Sequence, residues 1–124
     1  MKGKTIKLTI DTGAYELGPV PPNTRVVIEA GYLFAGGART LINEALLKTD
    51  DGAASNRAVL ERIAERVVVA WSVSEKLDRA AVSQFLLALY EEHADAALAF
   101  SKALADKTRF ALPTLVDAEA LGEG

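Results

Sequence analysis

His93 is the chain's single histidine, and it stands among three carboxylates in the stretch Glu91-Glu92-His93-Ala94-Asp95. Imidazole with carboxylates is a donor set for a divalent metal, or for a general base oriented by an acid. The spacing works against both. On a helix, neighbouring side chains point about 100° apart, so these four spread around the axis instead of meeting at one point. We read the group as a solvated helix end, with no catalytic and no metal-binding role. Gly31 with Gly36-Gly37-Ala38-Arg39-Thr40 suggests a phosphate loop. Such a loop needs a lysine before its hydroxyl and a strand feeding its glycines, and neither is evident. Free N–H groups after a glycine pair can hold an anion, but close helix packing or a kink is the simpler account. No Gly-x-Ser-x-Gly elbow accompanies the lone histidine, and Asp50-Asp51 fall in a polar turn. The absence of cysteine removes disulfides and thiolate chemistry. The reading is a non-enzyme without a cofactor.

Composition narrows the class further. The 124 residues make one domain's length, and 50% hydrophobic with 25% charged residues is an ordinary globular profile. A formal charge of −3 argues against nucleic acid as the main partner. Tyr15, Tyr32, Phe34, Trp71, Phe85, Tyr90, Phe100 and Phe110 are scattered and not interleaved with basic residues, so they form no stacking platform for bases. Met1 to Lys7 has lysines but no apolar core behind them, and no apolar run approaches the ~20 residues a membrane span needs. A cytoplasmic protein without membrane contact is expected.

The element that must organise the rest is Asn56 to Tyr90. At helical spacing Val59, Ile63, Val67 and Trp71 form one stripe, with Glu61, Arg62, Glu65 and Arg66 largely opposite. A second stripe holds Phe85, Leu86 and Leu89, and Asp78 is placed to cap it. The link Ser72 to Leu77 should fold one helix back on the other, making Val59, Ile63, Val67, Trp71, Phe85 and Leu89 core residues. Before this pair, Lys4 to Ile10 alternates as a strand, Asp11-Thr12-Gly13 is a turn, and Ala14 to Leu17 can return as its hairpin partner. Gly18-Pro19-Val20-Pro21-Pro22 then reads as an extended connector. From Arg25 the apolar residues continue in steps of three and four to Lys48, which predicts a helix capped by Asn23 or Thr24 and kinked at Gly36-Gly37. The β-branched Val26-Val27-Ile28 supports the alternative, an antiparallel strand at Arg25 to Ala30. Thr49 to Gly52 is a polar turn. A last helix, capped by Asp95, is expected to run to about Arg109. The sum is a single, mainly helical α+β domain over residues 1–112, an N-terminal β-hairpin packed on four or five helices, with a flexible tail at 113–124.

The order of segments also carries a resemblance. KTIKLTIDTGAYELGPV, a short strand-turn-strand, reads as a substituted form of an opening with a Lys-Thr strand, then Asp-x-Gly, then Tyr-x-Leu-x-Pro. A helical stretch follows, then VVVAWSV, then QFLLALYEEHADAALAF. This arrangement resembles the small tail assembly chaperones of long-tailed bacteriophages, encoded between the tail tube and tape measure proteins. Members often carry a longer glycine-containing insert after the tryptophan, where this chain has Ser72 to Leu77. The resemblance implies a non-enzymatic factor of the host cytoplasm. Such a factor holds the helical tape measure protein soluble and assists tail tube assembly. A head–tail connector or tail completion protein is the alternative. A client-binding surface is then expected on helix faces left over from core packing, around Leu41, Leu46, Leu87 and Tyr90, rimmed by Lys48, Glu91 and Glu92. Such a surface also favours a homo-oligomer.

Overall fold

Inward Ile6, Leu8 and Ile10 alternate with exposed Thr5, Lys7 and Thr9, and this period of two makes β1 (Thr5–Asp11). In the computed structural model, which describes residues 4–35, 40, 42–44 and 52–110, its partner is not Ala14 to Leu17. The partner is β2 (Arg25–Gly31), paired antiparallel along the full length from Thr5↔Gly31 to Asp11↔Arg25. The helix expected from Arg25 is therefore a strand at this point. Its β-branched run places Val26, Ile28 and Ala30 in the core, and the period-two pattern overrides the coincidental steps of three and four. Beyond it, Thr40, Ile42, Asn43 and Glu44 are helical. The expected kink at Gly36-Gly37 and the run to Lys48 lie outside the described residues, as does the expected tail at 113–124.

Residues 12–24 form a wide loop with its own order. Asp11 Oδ1 accepts from Gly13 N at 2.9 Å, which turns the chain away from β1. Buried Thr12 closes the loop. Its N–H donates to Thr24 O, its hydroxyl accepts from Thr24 N, both at 2.9 Å, and the same hydroxyl donates to Pro21 O at 3.1 Å. Asn23 does not cap a helix; it sits at φ 58 and donates its N–H to Gly13 O at 2.7 Å. Nor is the proline-rich part an extended connector. Leu17 and Val20 exchange backbone hydrogen bonds of 2.9 and 3.0 Å across Gly18-Pro19, and both side chains are fully buried.

The helix expected to run through to Trp71 stops early. α1 (Gly52–Arg62) loosens into one π-helical turn (Ile63–Val67) and continues as β3 (Val68–Trp71). The β-branched Val67-Val68-Val69 disfavours continued helix, and β2 offers an open edge: Ile28↔Trp71, Glu29↔Ala70 and Ala30↔Val68 pair antiparallel. The sheet order is β1-β2-β3. Leaving the helix orphans carbonyls, and Arg79 takes two of them: its Nη1 donates to Ala64 O and Val68 O, each at 3.0 Å. Arg79→Met keeps the stem and removes both donors, so it is expected to lower stability by about 1.5–3 kcal/mol in urea unfolding. An unchanged midpoint would show that water serves those carbonyls equally well.

Asp78 caps α2 (Arg79–Glu92) as the sequence suggests, its Oδ1 accepting from Ala81 N at 3.2 Å. α2 ends at His93, whose N–H donates to Leu89 O at 2.7 Å, and α3 (Ala94–Leu104) starts at once. His93 occupies the N-cap position without a side-chain cap bond, so Asp95 is not the cap and lies in the first turn. α3 ends at Leu104, short of the expected Arg109, and Leu104 O accepts from Leu33 N at 2.8 Å. A separate 3₁₀ turn (Lys107–Phe110) follows. The fold is thus α+β, with one contiguous core between the helices and one face of the sheet. Ile63, Val67, Trp71, Phe85 and Leu89 are buried in it and Val59 is half-buried against it. No helix among the described residues is long and apolar enough to cross a membrane.

Candidate partner-binding surface

The corner between α2 and α3 holds His93 at φ −142, ψ 75, exposed to solvent. Its imidazole meets the edge of the Tyr15 ring, with centroids 4.7 Å apart at 88°. Glu91 pairs with Arg57 of α1 at 3.0 Å, and Glu92 and Asp95 are exposed. Among the described residues no three His, Cys, Asp or Glu side chains gather in a group able to hold a metal ion. A strand does lead to the first of the glycines, since β2 ends at Gly31, contrary to expectation. Gly36 to Arg39 fall outside the described residues, and the lysine of a phosphate loop is still lacking from the sequence.

Of the residues expected to receive a partner, Leu41 and Leu46 lie outside the described residues, as does Lys48 at the rim. Leu87 and Tyr90 are half-buried on α2 and pack against the core. The Tyr90 hydroxyl accepts from Asn56 Nδ2 of α1 at 3.2 Å. Together with the Arg57–Glu91 pair, this shows α1 lying along the same side of α2.

A further apolar surface lies between the sheet and α3. A groove of about 530 Å³ runs between β1 and α3, lined by Leu8 and Ile10 from the strand, Leu89 from α2, and Ala96, Ala99, Phe100 and Ala103 from α3. Thr9, Asp11, His93 and Arg109 supply its polar lining. Three alanines at i, i+3 and i+7 keep the α3 wall low, so another helix axis can approach closely. Among the described residues, four large apolar side chains are also exposed: Tyr15, Val69, Val73 and Leu98. Val69 is pushed outward by a bulge in the β2–β3 register between Glu29 and Ala30. Reading the sequence missed this groove, because it needs β1 and α3 side by side. The alanine spacing was visible, yet it is equally the pattern of ordinary helix packing.

The fold and this surface define a small α+β protein with an apolar groove between β1 and α3. Comparison of the chain with protein-family models, with curated proteins and with solved structures finds no match.

Proposed function

We propose that this protein is a non-enzymatic phage tail assembly chaperone, which binds the helical tape measure protein and assists assembly of the tail tube. The observation that carries the reading is the β1–α3 groove, apolar along its walls with polar groups interspersed. An amphipathic client helix laid in it would cover its own apolar stripe and leave its polar face in water. The order of sequence segments behind the resemblance motivates the same reading, although Ala14 to Leu17 does not form the second strand of its opening. VVVAWSV spans the last residue of the π-helical turn, β3 and its exit, and QFLLALYEEHADAALAF spans most of α2 and α3. The protein works in the cytoplasm of the host cell.

Co-expression with the tape measure protein of the same phage tests this. The client is expected to stay soluble only with this chain present, and Ala96→Glu, in the groove but exposed, is expected to abolish the effect while circular dichroism stays native. Loss with Leu87→Glu instead would move the client to the α2 stripe of Leu87 and Tyr90. A client equally soluble alone ends the chaperone reading, and a structural head–tail component takes its place.

A further inference from the structure

Eight of the eleven residues of α3 are apolar. The face turned to the core uses Ala97, Phe100 and Leu104, and leaves Leu98 39% exposed on the outside. A helix apolar around so much of its circumference is ordinarily covered on both sides. The outward stripe is Asp95, Leu98, Ala99 and Lys102, all exposed and spaced i, i+3, i+4, i+7 along one line of the helix. It has an acid at one end, a base at the other, and two apolar residues in the middle. Neither Asp95 nor Lys102 is in an ion pair among the described residues.

We propose that this stripe is a homodimer interface, with α3 of a second copy packed antiparallel across a two-fold axis between Leu98 and Ala99. The stripe is its own complement under that operation. Asp95 of one protomer faces Lys102 of its partner, and the pair occurs twice. Leu98 faces Ala99, also twice, so each large side chain meets a small one. The antiparallel arrangement further opposes the two helix dipoles, with the acid already near the positive end and the base near the negative end of each helix. Charge complementarity therefore selects a second copy over an unrelated helix. An 11-residue helix is about 16 Å long, and its contact falls short of the roughly 1,200–2,000 Å² of a stable interface. The dimer is accordingly weak and concentration-dependent. The inference needs no client, although Ala99 also lines the β1–α3 groove, so the two surfaces adjoin.

Sedimentation equilibrium over about 10 µM to 1 mM tests it, a range that brackets a weak association. The mass of the intact chain should rise from 13.2 kDa toward twice that value. Leu98→Glu should keep it monomeric. Asp95→Lys and Lys102→Glu each place like charges opposite one another twice, and each alone should weaken dimerisation about tenfold. Mixed in equal amounts, these two variants become complementary at both pairs and should form a heterodimer near wild-type strength. Wild-type protein that stays monomeric at 1 mM overturns the proposal. So does a dimer indifferent to Leu98→Glu, or a mixture that fails to recover association.

Discussion

Gly18→Ala is expected to be among the most damaging single changes in the chain, lowering stability by about 2–5 kcal/mol although the residue lies at the surface of a loop. Two independent terms add. Gly18 has φ +59, a left-handed conformation that costs an L-residue roughly 1–2 kcal/mol. In addition, a Cβ at this position would come within 2.9 Å of Gln84 C, 3.0 Å of Gln84 O and 3.1 Å of Phe85 N. These are backbone atoms of α2, held by the helix ladder, and they cannot swing aside as a side-chain end would. The loop must then lift, taking Leu17 and Val20 out of the core. Gly13 is the internal control. Its φ is +57, yet nothing lies within 4 Å of its Cβ position, so Gly13→Ala should show the conformational term alone, about 1–2 kcal/mol. Chemical denaturation of both variants separates the terms. Equal losses at the two positions would show that the loop does not sit on α2 as described.

Trp71→Ala should cost about 3–5 kcal/mol, the range for emptying a packed aromatic site. Trp71 is 6% exposed at the end of β3, where it pairs with Ile28 in the ladder. Its ring meets Phe85 edge to face at 6.1 Å and 66°, which ties the sheet edge to the middle of α2. The indole N–H donates to Ser74 Oγ at 3.0 Å, and Ser74 donates on to Lys76 O at 2.7 Å, so the same side chain also shapes the link to α2. Far-UV circular dichroism is the suitable readout, since the variant lacks the chain's single tryptophan. Trp71→Phe keeps a ring against Phe85 and gives up the indole donor, and it should retain most of the stability. A Trp71→Ala midpoint equal to wild type would falsify the placement of this residue in the core.

The sequence by itself determined the features that depend on neighbours along the chain. Alternation makes β1, Asp11 and Gly13 turn the chain after it, Asp78 caps α2, and apolar periodicity puts Phe85 and Leu89 inside. Tertiary structure decided the features in which two local readings compete. Val26-Val27-Ile28 satisfied a strand by residue type and a helix by spacing, and the free edge of β1 tipped the balance, because an unpaired strand leaves its N–H and C=O groups unmet. The same applies to Val68 to Trp71, which leave the helix because β2 has a second edge to offer and Arg79 meets the carbonyls left behind. Gly18 carries no sign in the sequence of the backbone that will press on it. The groove and the outward stripe of α3 were equally hidden. An alanine or an exposed leucine acquires a meaning for binding only when the fold decides which side of the helix the core does not use.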